Sequence, residues 1–285
     1  MAVAVTPAQI DVARRTIEGG LGLTVTNADA IAPVYVRKLR RTLTPLALAL
    51  GEQPRPVIER KLFASVYKGV TDVVTKYAWP EPALWLTRAA AAMGLSPNAV
   101  TAAGLLLTLV AGWQFYVGNL TIGMAAAWLM TLLDTVDGKL ARVTLTSSDL
   151  GNRLDHGNDL IHPPLWWLCL ARGIALVVPH DGWVWPSCWV ILVTYLIGRF
   201  LEKGFKARFG FNPFMWRRFD SVFRMIISRR NIILLIMTAG LAAGLLVEAF
   251  ALCAAWSVVS VLVQAARYVQ AVSHARREQI RARLG

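Results

Sequence analysis

Four aspartates at helical spacing stand in one short window of this 285-residue chain, at Asp134, Asp137, Asp155 and Asp159. Asp134 and Asp137 are three apart and Ala141 is four beyond Asp137, so all three share one helix face. Gly151, Asp155 and Asp159 recur by fours and share a face of the next helix. A short turn between these helices lets the four carboxylates converge. Converging carboxylates repel one another unless cations sit among them, and charge within a membrane segment is costly. An all-oxygen donor set suits Mg²⁺ or Mn²⁺, ions that commonly share their coordination with a diphosphate. Gly138 and Gly151 leave backbone open to a nucleotide or its phosphates, and Arg142 is placed to meet a phosphate.

The elements that must hold this window are membrane helices. Hydrophobic residues make up 56% of the chain and charged residues 16%, against about 25% charged in soluble domains. Mean hydropathy is +0.49. No Lys or Arg occurs between Arg88 and Lys139, and from Glu81 to Asp181 the acids fall only at Asp134, Asp137, Asp149, Asp155 and Asp159. The net charge of +13 would suit nucleic acid only if it formed a basic face. Instead it clusters between apolar stretches, which excludes nucleic acid as the partner. Six spans are expected, at about 97–117, 120–143, 150–177, 183–203, 231–248 and 249–271, each near the ~20 residues a bilayer requires. Links on one side carry Lys139, Arg142, Arg153, Lys203, Lys206, Arg208, Arg217, Arg218, Arg224, Arg229 and Arg230, and those on the other carry none. The positive-inside rule then puts both termini and the aspartate window in the cytoplasm, in a bacterial inner membrane. Arg172 is the exception, toward the outer half of the third span.

Residues 1–78 read as a cytoplasmic helical segment, with helices expected from Thr6-Pro7 to Gly19-Gly20, from Asn27 to about Leu50, and from Pro56 to about Tyr77. No cleavable signal peptide is expected. Residues 79–285 form the membrane domain. It opens with an interfacial amphipathic helix over 83–95, where Trp85 and Arg88 suit the membrane surface, and Ser96-Pro97 caps the first span. The fold class is all-α and polytopic. Cys169, Cys188 and Cys253 lie in apolar runs and read as buried hydrophobes. Pro163-Pro164 should kink the third span, with His162 expected to satisfy a freed backbone group. Trp166 and Trp167 read as core or lipid-facing rings, Trp183 and Trp185 as an outer aromatic belt, and Trp79, Trp85 and Trp216 as an inner one.

The pattern D-x2-D-G-x2-A-R-x8-G-x3-D-x3-D, filled by Asp134, Asp137, Gly138, Ala141, Arg142, Gly151, Asp155 and Asp159, resembles the signature of the CDP-alcohol phosphatidyltransferases. The six spans and the preceding interfacial helix resemble that family's architecture over roughly 60–275. The resemblance implies transfer of a phosphoalcohol group from a CDP-alcohol to an acceptor hydroxyl, with release of CMP, in phospholipid biosynthesis. It implies two divalent ions held by Asp134, Asp137 and Asp155, with Asp159 as general base and further metal contact. Gly138, Ala141, Arg142 and Gly151 would then face the CDP moiety, with Asn98 and Thr101 nearby. It also implies a homodimer.

The acceptor is left open between a lipid and a polyol or phosphorylated head group. In related enzymes basic residues of the 202–230 region line the acceptor pocket, which would suit Arg224, Arg229 and Arg230; topology and contact with anionic membrane lipids account for them equally. Asp155-His156-Gly157 resembles the choline and ethanolamine phosphotransferase branch, whereas Lys68 to Thr101 looks more like the inositol-phosphate-transferring members. A UbiA-like prenyltransferase is disfavoured because only one aspartate motif is present. A transporter or non-catalytic scaffold is disfavoured because the acids sit at one membrane face.

Overall fold

The structure, a computed structural model, describes residues 34–36, 41–43, 54–66, 70–146 and 149–284. The side chains of 34–36, 41–43, 149–150, 152–156 and 276–284 lie outside that description, as does the whole of the helix expected over residues 6–20. Apart from one small ribbon, the described chain is helical. That ribbon corrects the helix expected from Asn27 to Leu50. Val34–Val36 (β1) pairs antiparallel with Arg41–Leu43 (β2), Val34 opposite Leu43 and Val36 opposite Arg41. Val34, Tyr35, Val36 and Thr42 are strand-favouring types, and they outweigh the basic cluster's helical spacing.

Two short helices precede the membrane domain's long ones: α1, Arg55–Ser65, and α2, Pro80–Ala92. Glu59 of α1 pairs with Arg88 of α2, and Arg60 of α1 pairs with Glu81 of α2. The buried Phe63 of α1 lies under the Lys139 ammonium at 5.1 Å and packs with Ala83, Val100, Val136 and Leu140. The helix α3 runs Pro97–Tyr116, α4 Leu120–Val143, α5 Asp149–Val177 and α6 Val184–Phe209. After the short α7, Arg218–Phe223, come α8, Arg230–Ala243, and α9, Leu246–Leu284. As expected, Pro97 begins α3 and the Ser96 hydroxyl accepts the Ala99 N–H at 3.2 Å, satisfying one of the helix's free donors.

Five helices are long and apolar enough to cross a membrane, at Pro97–Tyr116, Leu120–Val143, Gly157–Val177, Val184–Phe209 and Leu246–Ala275. The expected 231–248 span is corrected to the 14-residue α8, about 21 Å long at 1.5 Å per residue, against about 30 Å of hydrocarbon. The break falls at Gly244, whose φ of +71° is a left-handed cap that a side chain would strain. From there α9 turns back along α8, so the helix expected to start at 249 starts at Leu246.

Phe115, Met130, Trp166, Trp167, Leu170, Ile174, Leu234, Met237 and Phe250 fill the core between these helices. Lipid is as apolar as leucine, so close packing rather than escape from water holds such a bundle together. Gly173 of α5 shows this: a Cβ there would drive into the Phe115 carbonyl of α3. Trp166 is a core ring that donates to the Thr108 carbonyl of α3 at 2.9 Å. Cys188 and Cys253 are buried thiols, and Cys169 is partly buried. Arg172 donates to the Tyr116 carbonyl, at the C-terminal end of α3, and lies 3.9 Å over the Tyr116 ring; a helix C-terminus favours a cation. Trp85, Trp183 and Trp185 are exposed, but two other expected belt residues are not. Trp79 packs edge-on against Trp128, and Trp216 carries the Arg217 and Arg267 guanidiniums on its ring.

Candidate active site

The aspartate window sits at the facing ends of α4 and α5. Asp134 and Asp159 converge on a single cation, the Arg230 guanidinium at the first turn of α8. Its Nη2 donates to Asp134 Oδ2 at 2.7 Å and its Nη1 to Asp159 Oδ1 at 3.0 Å. The Arg230 side chain is 14% exposed, Asp134 22% and Asp159 48%. Asp137 is buried and turns to α3, where the Thr101 hydroxyl donates to its Oδ2 at 2.6 Å. Thr101 was expected at the nucleotide; its observed partner is a carboxylate. The Asp155 and His156 side chains lie outside the described residues. Asn98 is exposed at the start of α3. A Cβ at Gly138 would come 3.1 Å from Arg142 Nη2, so the open backbone at Gly138 accommodates a guanidinium of its own helix. Ala141 and Gly151 are partly buried on α4 and α5.

Arg224, Arg229 and Arg230 were expected to line an acceptor pocket. All three border a cavity of about 120 Å³ between α5, α6, α9 and the 224–231 segment, with Asp159 and Arg199 in the same wall. Arg229 pairs with Glu202, and Arg199 lies 3.8 Å from the same carboxylate. Arg224 Nη1 is buried with no hydrogen-bond partner among the described residues. Burial pushes this guanidinium down to about 9, and the positive charge of Arg229 adds to the effect. An anion entering the cavity would meet that unpartnered donor. Arg230 differs from its expected place, because it bridges the aspartates as well as lining the cavity.

Asp72 is a residue that motif reading missed. Its carboxylate accepts the Asn231 amide at 2.9 Å, the Thr75 N–H at 3.0 Å and the Thr75 hydroxyl at 2.9 Å. Burial pushes its carboxyl up, but Asn231, Thr75 and the Arg224 charge outweigh this and hold it below the usual carboxylate value. The segment before α2 is thereby tied to the residue beside Arg230. No periodicity announces such a contact, because its partners are 159 residues apart.

Pro163 and Pro164 lie inside α5. Each lacks an N–H, so the carbonyls four residues earlier, Asp159 and Leu160, lose their helical donors. His162 does not take them up: its Nδ1 meets the Asn158 carbonyl at 2.6 Å, and its ring stands edge-on to Trp166. The Tyr195 hydroxyl of α6 donates to the Leu160 carbonyl at 2.9 Å and lies 3.4 Å from that of Asp159. Arg199 Nη2 donates to the Asp159 carbonyl at 3.3 Å.

Residues 94–228 match the family model for CDP-alcohol phosphatidyltransferase. The chain carries a CDP-alcohol phosphatidyltransferase domain. All four signature aspartates fall inside that domain, and Arg229 and Arg230 lie just past the matched residues. The chain is similar to archaetidylinositol phosphate synthase of Pyrococcus horikoshii, 38% identical over 65 residues, or 23% of this chain and 35% of that protein. It is similar to cholinephosphotransferase 1 of Gallus gallus, 33% identical over 117 residues, or 35% of this chain and 33% of that one. The chain thus spans about a third of the length of the curated relatives it matches. Its fold is similar to the crystal structure of Mycobacterium tuberculosis phosphatidylinositol phosphate synthase with CDP-DAG bound, with a TM-score of 0.50 and 21% identity, over 64% of this chain and 91% of that one. CDP-alcohol phosphatidyltransferases generally use divalent metal ions. Among the described residues no three His, Cys, Asp or Glu side chains are grouped to hold an ion; Asp155, the third expected ligand, lies outside them. The oxygen donors of Asp134 and Asp159 already converge on one positive group, which fits a divalent cation.

Proposed function

We propose that the chain transfers a phosphoalcohol group from a CDP-alcohol to the hydroxyl of a phosphorylated polyol at a membrane surface, releasing CMP. One observation carries this reading. Two signature carboxylates from different helices meet beside a cavity walled by Arg199, Arg224, Arg229 and Glu202, with one Arg224 nitrogen unpartnered among the described residues. The buried Arg224 donor in that wall suits an anionic acceptor, whereas a diradylglycerol offers no charge to meet it. The similarity to both an inositol-phosphate-type synthase and a cholinephosphotransferase keeps the amino-alcohol donor as the second reading.

Asp134, Asp137, Asp155 and Asp159 would hold two Mg²⁺ or Mn²⁺ ions, which when bound offset the charge of the pyrophosphate and of the departing CMP. Thr101 orients Asp137 by its hydrogen bond. Gly138, Ala141, Arg142 and Gly151 face the CDP moiety, with Asn98 at the same end of α3. Arg142 meets a phosphate from its position over Gly138. Arg224 and Arg229 bind the acceptor's phosphate and so hold its hydroxyl near Asp159, whose half-exposed carboxylate takes the proton. The new bond joins acceptor oxygen to phosphorus, and the bond from phosphorus to the CMP oxygen breaks. The site lies on the cytoplasmic side of a bacterial inner membrane, the side on which the basic links gather. The helix α2 lies at the interface, and the working unit is a homodimer.

The test is CMP release by the purified, lipid-reconstituted chain. CDP-diacylglycerol with an inositol phosphate and Mg²⁺ should yield CMP, and EDTA should abolish it. CMP from CDP-choline and diacylglycerol instead would establish the second reading. No CMP from any pairing, CDP-ethanolamine and CDP-inositol donors included, overturns both.

A further inference from the structure

The signature helix α5 contains two prolines one turn past its last aspartate. Their missing N–H groups free two carbonyls, those of Asp159 and Leu160. A carbonyl within an apolar helix bundle that has lost its helical donor is met by a donor from another element. The neighbouring helix α6 does so with side chains one turn apart. Tyr195 reaches Leu160 at 2.9 Å and Arg199 reaches Asp159 at 3.3 Å. One of the two carbonyls belongs to the residue whose side chain faces the cavity and pairs with Arg230. From this we infer that Tyr195 and Arg199 are positioning residues. They hold the backbone of Asp159 from α6 and so fix where its carboxylate stands. The inference rests on the reading of Asp159 as the proton acceptor.

The arrangement makes the prolines and the α6 donors interdependent. A helix with an unbroken ladder aims its side chains by its own hydrogen bonds. At Asp159 that ladder is open, and the aim depends on α6. The separation of helices α5 and α6 is therefore set where it matters for chemistry, and a misplacement of about 1 Å can cost on the order of a hundredfold in rate. Arg199 also lines the arginine cavity and faces Glu202, so the same side chain touches both the acceptor's wall and the base's backbone.

The experiment is a mutant cycle between Tyr195→Phe and the double change Pro163→Ala with Pro164→Ala, which returns N–H donors to the helix. In the proline-containing chain, Tyr195→Phe should lower kcat about tenfold and leave the KM for the CDP-alcohol unchanged. In the Ala-Ala chain, the same change should alter kcat by less than about twofold. Arg199→Lys, which keeps a donor, should retain more kcat than Arg199→Met. Thermal unfolding of the same four proteins in detergent should show the same dependence, a fall in Tm on Tyr195→Phe only where the prolines are present. An equal effect of Tyr195→Phe in both backgrounds overturns the inference, as does no effect in either or a rise in KM with kcat unchanged. If the wild-type chain makes no CMP, the transferase reading has failed and with it the positioning of a base, while the Tm cycle still decides whether α6 supplies the missing donors.

Discussion

Replacing Arg230 by Met removes a cation that Asp134 and Asp159 share. Of the two bonds lost, that to Asp134 is the more enclosed, with side chains 14% and 22% exposed. Taking away one partner of a buried pair costs about 3–5 kcal/mol. The bond to Asp159, whose side chain is 48% exposed, resembles a surface pair worth about 0–1 kcal/mol. Because neither site is fully dry, about 3 kcal/mol in total is expected. In a chain of this size each kcal/mol moves Tm by about 2–4 °C, so Arg230→Met should unfold about 6–12 °C below the wild type in EDTA. A divalent ion at a hundred times its Kd returns about 2.7 kcal/mol. Saturating Mn²⁺ should therefore raise the Tm of Arg230→Met more than that of the wild type, where the guanidinium already neutralises the two carboxylates. Differential scanning fluorimetry in detergent, with and without Mn²⁺, measures both shifts. A variant that unfolds with the wild type in EDTA and gains no more from Mn²⁺ would refute the reasoning.

Thr101→Val removes the hydroxyl that holds Asp137; the Mg²⁺ concentration for half-maximal CMP release should rise severalfold, with the fold intact by circular dichroism. Gly173→Ala puts a methyl group into the Phe115 carbonyl, where backbone cannot give way, and should cost about 1–3 kcal/mol, read as lost Tm at unchanged KM. Asp72 ionises more readily folded than unfolded, so its contribution is complete above its unfolded value of about 3.9 and is lost as pH falls through the lower folded value. Asp72→Asn should accordingly lower Tm at pH 7 and flatten the loss of Tm below about pH 4, measured against the wild type.

The fold was legible in the sequence wherever one signal acted alone. The cap at Ser96-Pro97, the apolar runs and the charge-free links placed α3, α4 and α5 to within a residue, whereas α6 and α9 continue past their expected ends at 203 and 271 to Phe209 and Leu284. The break between α8 and α9 was misplaced because apolar sequence runs through it, and only the left-handed Gly244 marks the turn. The strands at Val34–Val36 and Arg41–Leu43 were hidden because a basic cluster can pattern either way. At the site, regular spacing announced which aspartates share a helix face. It did not reveal that Asp137 turns to Thr101, or that Arg230 reaches back across 96 residues to Asp134. Those contacts depend on how helices cross. The prolines did carry a readable signal: two missing N–H groups leave two free carbonyls and so imply two donors on a neighbour, which the structure gives as Tyr195 and Arg199.

The central claim is that Asp159 takes the proton from the acceptor while CMP departs. CMP release from the CDP-alcohol in Mg²⁺, compared between the wild type and Asp159→Asn, tests it most directly. Asn keeps the side chain's shape and can still sit beside Arg230, so a well-folded variant is expected. The account predicts CMP formation by the wild type and a loss of at least a hundredfold in kcat for Asp159→Asn, in line with removal of a general base. Asp159→Asn turning over at the wild-type rate would contradict it.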